Sequence, residues 1–281
     1  MRTLKELMVW GAQYLAENNI ENSLFQARLL LQHVSNIDLP NLLKGQDQPL
    51  AANMIAEYQN ALHQRASGKP FAYIVGYQEF YGLKFMVTPN VLVPRADSET
   101  LIDQILRTFA PGSKMKILDI GTGSGCLIIS LLKNLPCASA TAIDISAKAL
   151  EVAKINAEQL GVLGRVHFLE SDLLEALAPE VFDVIISNPP YICPSFKPKL
   201  APEVLSEPHL ALFADNYGLA IYEKIATQVH QYINCSSKIY LEMGYDQKDM
   251  VENIFSRQGF ATAGVYKDLN SIDRCIAFYK L

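Results

Sequence analysis

The chain has 281 residues, 50% of them hydrophobic, and a formal net charge of −5. That length exceeds one typical domain and the apolar content is ample for a packed core, so two domains are expected. The acidic balance, with no basic stripe, argues against direct binding of nucleic acid. No apolar run of about 18 residues is present to span a membrane, so a soluble, cytoplasmic protein is expected; a monomer is expected too, though the sequence itself does not reveal the oligomeric state.

At the N-terminus, Met1-Arg2-Thr3-Leu4-Lys5-Glu6-Leu7 starts an amphipathic helix rather than a signal peptide. Helical periodicity runs through Leu4, Leu7, Met8, Gly11, Ala12 and Leu15, and again through Ala27, Leu30, Leu31 and Val34. Residues 1–70 therefore read as a small helical bundle domain, ended by Gly68-Lys69-Pro70. Tyr73-Ile74-Val75-Gly76 with residues 80–87 reads as a β-hairpin, which makes 71–95 a hairpin linker. Val93-Pro94-Arg95 then leads into a helix over about 98–109, with Asp97 and Glu99 near its N-terminus, where acids suit the helix dipole.

Residues 96–281 read as one α/β domain. Strands are expected at 115–120, 140–143, 166–170, 182–187 and 238–242, and helices at 126–132, 219–232 and 247–257. Residues 261–266 and 275–279 read as two closing strands on an antiparallel edge. The alternation predicts a Rossmann-like, doubly wound sheet, whose ligands sit beyond the carboxyl ends of the strands. Gly121, Asp144, Asp172 and Asn188 all fall at such ends.

The first of these strands runs straight into Gly121-Thr122-Gly123-Ser124-Gly125 and then a helix, which is the layout of a nucleotide site. Asp144 ends the next strand, 23 positions after Gly121, and is placed to hold a ribose diol. The dinucleotide fingerprint needs its third glycine where Cys126 stands, so GxGxxG fails and GxGxG remains. That pattern gives a tight turn and close backbone approach without a clear pyrophosphate cradle. An adenosine-bearing cofactor lacking a pyrophosphate fits better than NAD, and S-adenosylmethionine is such a cofactor.

Asn188-Pro189-Pro190-Tyr191 follows a strongly apolar strand. Each proline pushes the residue before it towards an extended conformation and donates no backbone hydrogen bond, so the loop is stiff and rich in acceptors. It offers the Asn188 side-chain oxygen and nearby carbonyls to a planar NH2 group, with the Tyr191 ring beside them. The same tetrapeptide is also an ordinary strand-ending turn when taken alone. Five cysteines, odd in number and scattered, form neither a disulfide framework nor a zinc site, and the five histidines lack ligand spacing, so no metal is expected.

With these residues on the page, nearly the whole chain resembles the HemK/PrmC-type protein-glutamine methyltransferases. The resemblance extends through residues 71–76, Glu79-Phe80-Tyr81-Gly82, Pro94-Arg95, Glu207-Pro208, Gly218-Leu219, Leu241-Glu242-Met243-Gly244 and Lys267-Asp268-Leu269. It implies a class I S-adenosylmethionine-dependent methyltransferase fold, a helical substrate-recognition domain, and methylation of the glutamine in the Gly-Gly-Gln motif of peptide chain release factors. Carried onto this sequence, Gly121 to Gly125, Asp144, Asp172, Leu173 and Asn188 hold the cofactor. Asn188, Pro189 and Tyr191 are catalytic, and these three with Pro190 and Arg95 bind substrate. Departures are Ala96 and Ser98 in the run from Pro94 to Glu99, Leu173 where relatives often carry an aromatic, and Ser271 for a glycine. Arg95 either shapes the entrance or pairs with a carboxylate, and Glu242 reads as a salt bridge or cap. Exocyclic amino groups of bases, or a ribosomal-protein glutamine, are alternative acceptors on the same machinery, and a non-catalytic cofactor-binding module predicts a damaged acceptor loop where this one is intact.

Overall fold

The computed structural model describes residues 3–281; Met1 and Arg2, the first two residues of the predicted amphipathic stretch, lie outside them. The chain divides into two compact units, one running to Gly76 and including Ala201–Ser206, the other formed by Tyr77–Leu200 and Glu207–Leu281.

The first unit holds α1 (Leu4–Glu17), α2 (Ser23–Ser35), α3 (Leu39–Lys44), α4 (Ala52–Ala66) and α5 (Phe71–Val75). A capping box starts α1: the Thr3 hydroxyl accepts from the Glu6 amide at 3.2 Å and the Glu6 carboxylate accepts from the Thr3 amide at 2.9 Å. Leu4, Leu7, Gly11 and Leu15 bury one face of it. Gly11 is required by close approach, because a Cβ there would lie 2.0 Å from the Tyr58 hydroxyl, which is buried and donates to the Ala27 carbonyl at 3.1 Å. Arg65, at the end of α4, donates to Glu203 at 2.5 Å, so residues distant in sequence close this unit.

The segment Tyr73-Ile74-Val75-Gly76 is not a strand as its β-branched run suggests. It is the end of α5, which begins after Pro70 and stops where Gly76 takes the left-handed conformation at φ +82°. The hairpin lies just beyond, between β1 (Tyr77–Phe80) and β2 (Leu83–Met86). Tyr81 and Gly82, with φ of +50° and +69°, form the two-residue turn whose twist suits paired strands. Tyr81 is held there by Glu99, which accepts its amide at 2.8 Å, and by Asp103, which accepts its hydroxyl at 2.9 Å, both on α6 (Glu99–Thr108).

The rest of the second unit is a seven-stranded sheet. Its elements are β3 (Lys116–Ile120), α7 (Cys126–Asn134), β4 (Ser139–Asp144), α8 (Ala147–Gln159), β5 (Val166–Glu170) and β6 (Val184–Ser187). After these come the short α9 (Pro202–Leu205, in the segment belonging to the first unit), α10 (His209–Leu212) and α11 (Asp215–Gly218). Then follow α12 (Ala220–Gln228), β7 (Lys238–Glu242), α13 (Lys248–Arg257), β8 (Phe260–Lys267) and β9 (Asp273–Lys280). The strand order is β5-β4-β3-β6-β7-β9-β8, with β9 antiparallel to both β7 and β8 and the other pairings parallel.

Both sheet faces are covered, which is why the strands are apolar at nearly every position. Ile117, Val184, Ile186 and Tyr240 pack with Leu101, Ile105, Ile128 and Leu131 from α6 and α7 on one face. Leu118, Ile120, Ile185, Ile239 and Leu241 pack with Tyr222 and Ile225 of α12 and Val251 and Phe255 of α13 on the other. This is a doubly wound, Rossmann-like architecture, and a helical region precedes it in the chain.

One buried side chain ties the hairpin to the glycine turn. Asn156 of α8 accepts from the Met86 amide at 2.7 Å and donates to the carbonyls of Met86 at 3.0 Å and Ser124 at 2.9 Å. Replacing Asn156 with Ala leaves these buried backbone groups unpaired and is expected to lower the unfolding free energy by about 2–4 kcal/mol, measured by urea denaturation; a loss below about 0.5 kcal/mol contradicts the assignment.

Candidate active site

Order along the sheet reverses between β3 and β6, and a crevice opens at such a switch point. Ile120 and Ser187 are register partners there, so Gly121 and Asn188 leave the sheet side by side. The Ser187 hydroxyl donates to the Ile120 carbonyl at 2.7 Å and fastens the two strand ends together. Ile143 pairs with Ile120 on the other flank, which brings Asp144 alongside.

A cavity of about 280 Å³ lies over these ends. Gly121, Thr122, Gly123, Ser124, Asp144, Asp172, Leu173, Asn188, Pro190 and Arg95 line it, all predicted from the sequence, together with Ser98, Cys126, Ile145, Leu210 and Phe213, which were not. Gly125, Pro189 and Tyr191 are not on its wall.

The glycines serve two purposes. Gly121 and Gly123 have φ of +74° and +56°, and a Cβ on either would enter open space, so both keep backbone exposed to a ligand. Gly125 instead packs: a Cβ there would lie 2.8 Å from Ile129 and 3.3 Å from Ala153, where α7 meets α8. Cys126 follows it, and burial pushes its thiol up to about 12, leaving it protonated and unreactive.

Asp144 accepts from the Gly123 amide at 2.9 Å through one oxygen and from the Ser146 amide at 2.9 Å through the other. Burial raises its pKa above the usual carboxylate value while those amides oppose the shift. Beneath the turn, Asp119 is fully buried and pushed up to about 7 by burial. Its Oδ2 accepts from the Thr122 hydroxyl at 2.6 Å, and its Oδ1 has no hydrogen-bond partner among the described residues. Leu173 holds φ +48°, a conformation costly for a branched side chain, and presents that chain to the cavity.

The Asn188 loop is held at three points. Asn188 Nδ2 donates to the Ser98 hydroxyl at 3.0 Å, and that hydroxyl donates to Glu242 Oε2 at 2.5 Å. The Tyr191 hydroxyl donates to Glu242 Oε1 at 3.2 Å, so Tyr191 turns away from the cavity towards β7. Gln247 Nε2 donates to the Tyr191 carbonyl at 3.0 Å. Gly218 leaves room for that carbonyl, since a Cβ on it would lie 2.0 Å from the oxygen.

Glu242, read from the sequence only as a structural group, is therefore the anchor of the loop. It is fully buried, and burial pushes it up to about 7 against the opposing pull of Ser98 and Arg274. Arg95 pairs with Glu207, a buried carboxylate that also accepts the Val93 amide at 2.8 Å, and its side chain still borders the cavity. Nothing local in the sequence marks Ser98, which lies 90 positions from Asn188 and 144 from Glu242. Among the described residues no group of three or more His, Cys, Asp or Glu is arranged to hold a metal ion, and no helix is long and apolar enough to cross a membrane.

Comparison with known proteins fits this geometry. Residues 6–76 match the family model of the PrmC N-terminal domain, and residues 95–210 match that of the methyltransferase small domain. A release factor glutamine methyltransferase of Geobacter sulfurreducens is 38% identical over 98% of this chain and 95% of its own length. The chain belongs to the release factor glutamine methyltransferase family. A bifunctional methyltransferase of Rickettsia felis is 38% identical over 98% of this chain and 58% of its own, so the chain spans about half the length of this larger relative. The crystal structure of a Pyrococcus furiosus methyltransferase, 19% identical, shares the fold with a TM-score of 0.53 over 82% of this chain and 99% of that one.

Glu242 also leaves a mark on stability. Its pKa rises from 4.5 to about 7 on folding, so between these values the folded state holds a proton that the unfolded chain releases. The associated stability is full below the unfolded value and lost as pH rises through about 7. Glu242→Gln is expected to lessen the fall in unfolding free energy between about pH 5 and about pH 8, with Asp119 supplying the remaining slope. An unchanged slope in that variant, by urea denaturation, assigns the titration elsewhere.

Proposed function

We propose that this protein transfers a methyl group from S-adenosylmethionine to the side-chain amide nitrogen of the glutamine in the Gly-Gly-Gln motif of peptide chain release factors, acting as a cytoplasmic monomer. The observation that carries the reading is the orientation of Asn188. A serine hydroxyl has one proton, and Ser98 donates it to Glu242, so Ser98 only accepts from Asn188 and the amide NH2 must face it. Asn188 Oδ1 is thereby left facing the other way, with no partner among the described residues, on a cavity wall. A fixed acceptor in that place suits an N–H donor.

The residues also fit the cofactor. Gly121 and Gly123 bare the backbone, Asp144 has lone pairs left to accept a ribose diol, and Leu173 with Ile145 offers an apolar wall to adenine. The buried Oδ1 of Asp119, next to Thr122, is an acceptor suited to a donor such as an amino group. When bound, S-adenosylmethionine supplies an electrophilic methyl on a sulfonium.

An amide nitrogen is a poor nucleophile because its lone pair is delocalised into the carbonyl. In this reading Asn188 Oδ1 accepts one N–H of the substrate, turns the lone pair towards the methyl, and stabilises positive charge as it grows on nitrogen. Pro189, which is not on the cavity wall, would have to offer its carbonyl to the second N–H from behind Pro190. Pro190 lines the cavity beside them, and Arg95 borders it. No general base is required, since the N-methylated, still protonated amide is acidic enough to lose its proton to water. Tyr191 contributes through its anchorage on Glu242, which sets the path of the loop. The helical unit up to Gly76 is the substrate-recognition domain in this scheme.

Labelled methyl transferred from S-adenosylmethionine to intact release factor, and not to one whose Gly-Gly-Gln glutamine is replaced by alanine, is the expected result. Label on neither substrate, with cofactor binding intact, overturns the acceptor assignment. Asn188→Ala is expected to lower kcat by roughly 100-fold or more while changing cofactor affinity less than about threefold. Near-normal turnover in that variant removes Asn188 from the reaction.

A further inference from the structure

Glu242, Ser98 and Asn188 form a linear chain of hydrogen bonds that runs from a fully buried carboxyl to the cavity wall. A hydroxyl at the centre of such a chain donates in one direction and accepts from the other, so the state of one end fixes the orientation of the other. The planar amide of Asn188 looks nearly the same after a half turn, and only its partner decides whether oxygen or NH2 meets the substrate. We propose that Ser98 is a positioning residue for methyl transfer: by donating to Glu242 it obliges Asn188 to point Nδ2 inward and Oδ1 into the cavity. This rests on the reading of Asn188 as the acceptor for the substrate amide.

Three features of the structure support it. Ser98 is buried, and both the groups it bonds lie on elements remote from its own, so the contact is a tertiary one and not a local cap. Ser98 itself lines the cavity, one bond away from the reacting groups. Glu242 is fixed from the far side as well, because the Tyr222 hydroxyl donates to its main-chain carbonyl at 2.8 Å and the Tyr191 hydroxyl to its other carboxyl oxygen.

Protonation of Glu242 supplies the signature of the device. An ionised Glu242 only accepts, which gives the polarity described. A protonated Glu242 donates to Ser98, which frees the Ser98 proton for Asn188 Oδ1 and turns the amide over, presenting NH2 where an acceptor is needed. The groups facing this carboxyl are Ser98 and Asp97 before α6, Cys126 on α7, Tyr191 in the loop, Tyr222 on α12, and Arg274 and Cys275 on β9. Arg274 is shared with Asp97 and Asp268, at 3.3 Å each. Burial brings Glu242 up to about 7, close to neutrality.

The test compares wild type with Ser98→Ala, Ser98→Thr and Glu242→Gln. In nitrogen–proton correlation spectra of the free protein, the Asn188 side-chain amide, assigned by its absence in Asn188→Asp, is expected to shift with pH through the titration of Glu242. That dependence is expected to vanish in Ser98→Ala and Glu242→Gln and to persist in Ser98→Thr. With S-adenosylmethionine and release factor, kcat of the wild type is expected to rise between about pH 6 and about pH 8, and Ser98→Ala is expected to lose that rise and to lower kcat roughly 10- to 100-fold, with cofactor affinity within about twofold. Ser98→Thr, which keeps the hydroxyl, is expected to restore most of kcat.

An Asn188 amide signal indifferent to both Ser98→Ala and Glu242→Gln overturns the proposal. So does a lowered kcat in Ser98→Ala whose pH profile keeps the wild-type shape, since a merely structural lesion scales the profile without changing it. Should Ser98→Ala not fold, Glu242→Gln decides by the same two readouts. Because the amide signal is read without any substrate, a wild type that fails to methylate release factor refutes the assigned acceptor alone.

Discussion

The parallel pairing of β3 with β6 is the constraint on which the rest of this molecule depends. It places Ile120 beside Ser187, and so makes a glycine turn and an Asn-Pro-Pro-Tyr loop leave the sheet at one point, though they are far apart in the chain. The strand order reverses at this pair, and a crevice opens between the connections that leave it on either side. The cavity follows from that topology. Its chemistry follows from which residues happen to end the strands.

A second layer of order sits behind the site. Glu242, at the end of β7, is buried and, among the described residues, has no salt-bridge partner of its own, a costly place for a carboxyl. Hydroxyl donors from Ser98 and Tyr191 offset that cost, and in doing so each fixes a piece of the loop. Gln247 and Gly218 fix a third piece, the Tyr191 carbonyl. The loop is thus rigid twice over: its prolines restrict the backbone, and the buried donors and acceptors restrict its side chains. Preorganisation of this kind suits the proposed transfer to a weak amide nucleophile, a reaction in which orientation supplies more than proton transfer.

Much of this was readable from residue order alone, and for identifiable reasons. The sheet's strands are short apolar runs bounded by glycine, aspartate and asparagine, so their period and their ends coincide and by themselves place Gly121, Asp144, Asp172 and Asn188 in one crevice, where all four line the cavity. The stretch over residues 73–76 misled because Tyr, Ile and Val carry strand propensity, while burial of Ala72, Tyr73 and Val75 on one helical face won. Gly125 belongs to the same pentapeptide as Gly121 and yet packs against α8 rather than facing the cavity, a difference that spacing along the chain does not encode.

The sequence by itself determined the element types, the positions of the turns and the chemistry available at the strand ends, because periodicity, proline and glycine act over a few residues. Only the tertiary structure decided which side chains meet: Ser98 with Glu242 and Asn188, Arg95 with Glu207, Tyr191 with Glu242 instead of the cavity. Those meetings depend on strand order and on how far burial forces a polar group to find a partner, and both are properties of the packed whole. The direction in which Asn188 points its oxygen is the clearest case, since it is fixed by a carboxyl on a strand that pairs with the loop's own strand and by a hydroxyl at the entrance to a helix from elsewhere in the chain.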